Sequence, residues 1–598
     1  MKNLVCKIFL VIYLFPTIVL GQSEDAKIKR VEHGLLPAVL IKGDPAWSIE
    51  ERMKFYKAPG LSVAVIQEFR VVWARGYGVK DLETKEPVTT DTLFQAGSIS
   101  KSVNAMVLMK KVEEGKISLD ENINNKLTTW KLPDNEFTAS KKVTLRNLLS
   151  HTAGTTVHGF PGYAPSERIP TLPEVLNGNG VANTAAVRVD LEPGTKFRYS
   201  GGGTTISQLA IMDIEKKPYP EIARETVLAP LKMTNSTYSQ PLPDDWRRKA
   251  ATGYRGDGTE VAGKIHIYPE MAAAGLWTTP TDLAKFGIEM QLSIAGRSNK
   301  VLKKETAGLM TTSFMDNAGL GFFIEKHGKA VYFGHGGADE GFRAELLVNR
   351  EKGYGVAVMV NSDNTQILRE VMRAVAQEYG WDEFLPKPYE IVSLDSSKLE
   401  GYQGRFLVNP DRVLTISRAD GGRLSAAPTG DPAFELLPIS ETTFVRRDAD
   451  LKYEFVRNGT SAVDTIRLIT SDGSSEIKRM PADTLVASEL LLAGKVEEAL
   501  AAYRRIKREK PDNASVAEDR LNNLGYVLMR QKKLPEAIAV FKLNVEFYPQ
   551  AWNVYDSLGE AYMNNGEKDL AIANYKRSLE LNPGNGNGAE ILKKLLGN

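Results

Sequence analysis

The run Phe94-Gln95-Ala96-Gly97-Ser98-Ile99-Ser100-Lys101 decides how this chain is read. It leads into Val103, Met106, Val107, Met109 and Val112, apolar positions spaced as on a helix buried in a core. Ser98 and Lys101 are three residues apart, so at the start of that helix they share a face and the amine comes within reach of the hydroxyl. A helix start also offers free backbone N–H groups and a positive dipole end, both favourable to a negatively charged oxygen. A hydroxyl beside a proton-accepting amine is an activated nucleophile. The pattern Ser-x-x-Lys is weak by itself, because Ser475-Glu476-Ile477-Lys478 matches it too. Ser475 follows the polar turn Ser471-Asp472-Gly473-Ser474 in a β-rich stretch, so context selects Ser98.

Residues 61–66 and 70–77, just upstream, read as a strand hairpin. From about 98 to 290 the pattern is helical, with long loops rich in Gly and Pro. Strands return at 330–333, 342–348 and 354–360, and a helix follows at 365–379. Strands at both ends of a helical middle predict an α+β unit, one antiparallel sheet packed with helices. Residues 380–394 carry Pro386, Pro388 and Ser393 and read as a linker. Short alternating strands with Gly and Asp turns over 398–480 predict a small β-barrel or sandwich.

The C-terminal part repeats. Leu524-Gly525, Ala537, Phe541 and Pro549 recur as Leu558-Gly559, Ala571, Tyr575 and Pro583, a spacing of 34. That period resembles tetratricopeptide repeats, stacked helix pairs with small residues at the crossings. An earlier unit, Ala499, Tyr503 and Pro511, is offset by 38, with the extra residues in the 512–520 loop. Such an array serves either to bind a partner or to pack and self-associate.

At the other end, Lys2 and Lys7 flank the start of an apolar run over 8–20 that contains Pro16. This reads as a cleaved secretory signal, too short for a span of about 20 residues. The expected organisation is a signal peptide at 1–21, a catalytic unit at 22–385, a small β-barrel at 395–481 and helical repeats at 484–598. No stable membrane span would remain after cleavage, and the location would be periplasmic or secreted. The one cysteine, Cys6, lies in the signal, so the mature chain would have neither disulfide nor thiol chemistry. A net charge of +2 over 598 residues gives no reason to invoke nucleic acid.

Two further elements accompany Ser98 and Lys101. Tyr199-Ser200-Gly201 follows Pro193-Gly194-Thr195-Lys196-Phe197-Arg198, and a tyrosine beside cations can shuttle protons to a leaving group. His335-Gly336-Gly337-Ala338 comes just past the expected strand 330–333, where glycines admit a ligand backbone and the Ala338 N–H can serve as a second oxyanion donor beside that of Ser98. In this order the three elements resemble the serine β-lactamase and penicillin-binding protein superfamily, with its Ser-x-x-Lys, Tyr-x-Asn and Lys-Thr-Gly or His-x-Gly motifs. The chain is most similar to the branch of class C enzymes, D-aminopeptidases and esterases. Leu148-Leu149-Ser150-His151-Thr152-Ala153-Gly154 and Thr279-Pro280-Thr281-Asp282-Leu283, the latter with capping-box spacing, add to the likeness over about residues 30–380.

The resemblance implies a β-lactamase/transpeptidase-like fold and an acyl-enzyme on Ser98. Lys101 and Tyr199 would manage the proton, and His335, Gly336, Gly337 and Ala338 would line the substrate and oxyanion side. His151 is expected to be structural, while His158 and Tyr163 are candidates for lining the cleft. Two positions depart from the pattern. Gly201 stands where the family has Asn, and His335-Gly336 replaces Lys-Thr, which weakens a fixed positive charge for a substrate carboxylate. The expected function is hydrolysis of an amide or ester, the substrate a D-amino-acid peptide or cell-wall fragment. A carboxylesterase and a non-catalytic penicillin- or peptide-binding protein remain as alternatives. The scattered histidines have no metal-ligand spacing, and neither a metal nor a cofactor is expected.

Overall fold

Residues 60–67 are apolar at nearly every position because both faces of their strand are covered. The computed structural model describes residues 24–381, 383–419, 423–457, 463–470, 473–583 and 585–597; the expected signal peptide lies outside the described residues. In β1 (Gly60–Gln67) Leu61, Val63 and Val65 enter one core, and Ala64 and Ile66 the other. The remaining strands of the sheet are β2 (Arg70–Gly78), β3 (Phe323–His327), β4 (Ala330–Asp339), β5 (Phe342–Asn349) and β6 (Gly355–Val360). Their order is β2-β1-β6-β5-β4-β3, with every pairing antiparallel. The N-terminal hairpin thus joins the C-terminal strands side by side, with Val63 opposite Val358.

The principal helices are α1 (Glu24–Glu32), α2 (Ile49–Phe55), α3 (Ile99–Glu113), α4 (Gly201–Glu215), α5 (Met271–Ala274), α6 (Pro280–Ile294) and α7 (Gln366–Tyr379). Helices α1, α2 and α7 share one core with the sheet, and α3 to α6 share the other. This is the α+β layout that the pattern predicts. Helix α3 is buried along most of its length, and its polar side chains are matched. Ser102 Oγ donates to Gly321 O at 2.6 Å, Asn104 Nδ2 to Ser207 Oγ at 3.0 Å, and Tyr219 Oη to Asn104 Oδ1 at 3.0 Å. At α6 the Thr279 side chain caps the Asp282 N–H, but the reciprocal half of the expected capping box is not made. Asp282 accepts instead from Asn235 N at 2.8 Å and Ser236 Oγ at 2.9 Å.

Two strand expectations need correction. β4 runs to Asp339, so His335-Gly336-Gly337-Ala338 lies within the strand rather than past it, with Gly337 opposite Ala344 and Ala338 opposite Arg343. The glycines suggest an end, but pairing with β5 carries the strand on. β3 is not signalled in the sequence: its Glu325-Lys326-His327 is polar, as suits an edge strand.

Beyond the linker, strands from Gly404–Asn409 to Gly473–Met480 form a closed barrel, the first and last pairing through Phe406 and Arg479. The helical repeats follow. A Cβ on Gly525 would lie 2.5 Å from the Phe541 ring, and one on Gly559 3.2 Å from the Tyr575 ring, so the 34-residue period repeats one glycine-on-aromatic crossing. The loop between the units at 499 and 524 holds a short 3-10 turn, Ala514–Val516. Barrel and repeats meet at buried Asp411, which accepts from Ser488 N at 2.7 Å and Tyr503 Oη at 2.9 Å. On the other side Arg447 pairs with Asp44 at 2.6 Å, tying the barrel to the chain before β1.

Candidate active site

Ser98 stands at the N-cap of α3, and its side chain makes no capping bond. Lys101 Nζ lies 2.8 Å from Ser98 Oγ, one helical turn on, as the spacing requires. The amine also donates to Ala273 O in α5 at 2.7 Å. Lys101 is 4% exposed, so its direction is fixed by these two contacts and by the packing around it. Ser98 is partly open to the cleft. Gly97, with φ +50°, makes the turn that presents it.

Tyr199 lies over this pair, with Lys101 Nζ 5.0 Å from its ring centroid. The sequence places two other cations near Tyr199, and the structure turns Arg198 away: it pairs with Asp190 and donates to Gly154 O and Thr155 O. The nitrogen that lies against the tyrosine ring is that of Lys101. Two imidazoles flank the same ring, His151 at 4.3 Å and His158 at 4.9 Å between centroids. His151 is buried, and its Nδ1 accepts from the Ser200 N–H at 3.2 Å. Burial and then nearby Lys101 push its pKa well below the ordinary histidine range, so it stays neutral. That is the structural part expected of it. His158 is exposed. Tyr163 is buried and its hydroxyl accepts from Asn183 N at 3.1 Å, which makes this cleft candidate a loop anchor instead.

β4 passes close to the nucleophile turn. A Cβ on Gly97 would lie 2.4 Å from Ala338 N, and one on Gly337 1.9 Å from Ala96 O. Two backbones meet there, and neither glycine tolerates a side chain. The contact brings the Ala338 amide beside the residue that precedes Ser98, and Ala338 itself is exposed to the cleft. At Gly336 a Cβ would lie 3.3 Å from Glu345 Oε2, a carboxylate paired with Arg369 at 2.7 Å. His335 is buried, its Nδ1–H donating to Gly336 O at 2.6 Å, which leaves Nε2 as an acceptor without a partner among the described residues. Burial and then Lys101 push its pKa down to about 3. His335 therefore supplies no positive charge at neutral pH. Phe323 of β3 stands 5.0 Å from the His335 ring and 6.1 Å from that of Tyr199.

Two acids that sequence reasoning missed lie close by. Glu270, just before α5, and Asp339, at the end of β4, are buried, and neither carboxyl is held by a side-chain donor among the described residues. Burial pushes both pKa values up to about 8. Asp339 adds to the rise at Glu270, while Lys101, Arg343 and a backbone hydrogen bond from Gly97 pull Asp339 down. Strand alternation would have flagged Asp339, since 335, 337 and 339 share a face once β4 is known to continue. Glu270 and the Ala273 carbonyl carry no local signal. Among the described residues no group of three or more His, Cys, Asp or Glu could hold a metal ion.

The site's geometry agrees with what the chain is similar to. The Beta-lactamase family model matches residues 48–379, and a Tetratricopeptide repeat model matches residues 552–585. "Protein flp" of Staphylococcus aureus (strain N315) is 25% identical over 335 residues, 53% of this chain and 63% of that protein, so the match spans less than two thirds of the relative's length. "Uncharacterized protein MT1414" of Mycobacterium tuberculosis (strain CDC 1551 / Oshkosh) is 28% identical over 278 residues, 42% of this chain and 67% of that one. The octameric penicillin-binding protein homologue from Pyrococcus abyssi shares the fold, with a TM-score of 0.50 at 24% identity, covering 72% of this chain and 98% of that one. The Beta-lactamase match takes in Ser98, Lys101, Tyr199 and His335, ends with the last residue of α7 and covers more than half of the chain; the chain belongs to the Beta-lactamase family.

Proposed function

We propose that the protein is a serine hydrolase that cleaves an amide or ester through an acyl-enzyme on Ser98. The observation that carries this is the 2.8 Å contact between Lys101 Nζ and Ser98 Oγ, under the ring of Tyr199. As Ser98 Oγ bonds to the acyl carbon, its proton passes to Lys101. The negative oxygen is met by the N–H groups of Ser98 and Ala338. The bond to the leaving amine or alcohol then breaks, and the leaving group takes a proton by way of Lys101 and Tyr199. Water attacks the acyl ester, the acid is released and Ser98 regains its proton.

The neutral His335 bears on the substrate. Without a fixed cation at that position, a substrate carboxylate has no counter-charge from the third motif. This favours esters and amine-bearing peptides, D-amino-acid peptides or cell-wall fragments first, over penicillins; a carboxylesterase is the nearest rival. The signal-like residues 1–21 support a periplasmic or secreted location, and the repeats at 484–598 support recruitment of a protein partner or a second copy.

Intact-protein mass spectrometry with a fluorophosphonate and with a labelled penicillin, each against Ser98→Ala, tests this reading. A fluorophosphonate adduct that vanishes in Ser98→Ala, without a stable penicillin adduct, is the expected result. A stable penicillin adduct would return carboxylate-bearing substrates to first place. No adduct with either would contradict an activated serine.

A further inference from the structure

The loop that carries His158 packs against the start of α4 at Gly201 and Gly202. Gly201 stands where the second motif has Asn, and the space beside its Cα is filled by the Phe160 ring and the His158 carbonyl. A Cβ at 201 would lie 3.0 Å from Phe160 Cε2 and 3.1 Å from His158 O. The loop is fastened to the start of α4 by four hydrogen bonds: Gly201 N to His158 O at 2.9 Å, Gly202 N to Val157 O at 3.0 Å, and Ser200 Oγ to Thr156 O at 2.7 Å and Val157 O at 3.2 Å. At Gly202, too, a Cβ would come within 2.8 Å of Thr156 O. The glycines of α4 therefore let a neighbouring loop sit where side chains would otherwise project. Val157 takes φ +64° there, a region that β-branched residues rarely adopt and that tends to mark functional turns.

That turn sets His158 beside Tyr199, exposed, and its ring makes no hydrogen bond among the described residues. The contrast with His151 on the same tyrosine is informative. His151 is buried and its Nδ1 is committed to a backbone N–H. His158 keeps both ring nitrogens available, one a donor and one an acceptor in the neutral form.

We propose that His158 is a substrate-contacting, specificity-determining residue, whose imidazole hydrogen-bonds an amide of the acyl group next to the bond being cleaved. The proposal rests on the serine hydrolase reading and deepens it. It selects acyl groups that carry an amide over plain aliphatic ones.

The test compares wild type and His158→Phe, which keeps a ring against Tyr199 but removes the hydrogen bonds. The probes are the p-nitrophenyl esters of acetic acid and of N-acetyl-D-alanine, together with the rate of fluorophosphonate labelling. The expected result is a loss of about 10-fold in kcat/KM for the N-acetyl-D-alanyl ester, mostly in KM, with the acetate and the labelling rate within about twofold of wild type. Restoration of part of the loss in His158→Asn, which returns a donor and an acceptor, would strengthen it. Equal losses on both esters and on labelling would overturn it, placing His158 in the activation of Ser98. An unchanged ratio between the two esters would also overturn it, leaving His158 a bystander. Failure of the hydrolase reading shows separately, as wild type that neither labels nor loses turnover in Ser98→Ala, and the proposal would fall with it.

Discussion

Two buried aspartates show how differently the same residue is used in two parts of this molecule. Asp411, where the barrel meets the repeats, is held by Ser488 N and Tyr503 Oη. Asp339, at the end of β4, has no side-chain donor for either oxygen among the described residues, and the Gly97 backbone eases its burial only slightly; nearby Glu270 has no side-chain donor either. Burial raises the pKa of both aspartates. At the junction the cost is offset by donors placed for the purpose, so the acid serves as a fastener. In the cleft such donors are fewer, and His335 Nε2 is likewise without a partner among the described residues. The same burial is compensated at the junction and largely uncompensated at the end of β4.

The largest effect that would sharpen this contrast lies in the cleft. Lys101→Met removes the amine beside Ser98 and should lower turnover of any ester the protein accepts by roughly 10²–10⁴-fold, leaving the thermal transition of the barrel and repeats in place. Turnover within tenfold of wild type would mean that another group takes the Ser98 proton. At the junction, Asp411→Ala leaves the Ser488 N–H and the Tyr503 hydroxyl unpaired. A loss of about 1–3 kcal/mol in denaturant unfolding of the repeats is expected, with ester turnover unchanged. A loss of turnover instead would show that the junction is coupled to the cleft.

The third effect is a dependence on pH. Asp339 moves from 3.8 to about 8 on folding, so between these values the folded chain holds a proton that the unfolded chain releases. Its contribution is most favourable at and below the ordinary carboxylate range and is lost as pH rises to about 8. Asp339→Asn should flatten the fall in stability over that window by at most about 1.4 kcal/mol per pH unit, as read from unfolding midpoints at a series of pH values. An identical slope in the variant would show that Asp339 ionises in the folded protein as it does in the open chain.

Much of this molecule is legible without coordinates. The spacing of Ser98 and Lys101 at a helix start dictates their contact, and the apolar run after them dictates burial of that helix. The 34-residue period reports a glycine seated on an aromatic ring, and that relation is local, so the sequence carries it. Other features are decided by partners far away in the chain. β4 continues through three glycine-rich positions only because β5 pairs with it, and β3 is an edge strand with little apolar content. Closure of the barrel depends on the meeting of its first and last strands, which alternation alone leaves open between barrel and sandwich. Glu270 looks like an ordinary surface acid until folding encloses it, and Asp339 becomes legible only once β4 is known to continue through the glycines. His158 belongs between these cases: it is visible as a cleft residue, but the reason for its place is the space left by Gly201.

The measurement that bears most directly on the account is mass spectrometry of the protein quenched during turnover of an activated ester. The account predicts a covalent acyl adduct on Ser98, with Ser98→Ala showing neither adduct nor turnover. Turnover without an adduct, undiminished in Ser98→Ala, would contradict it.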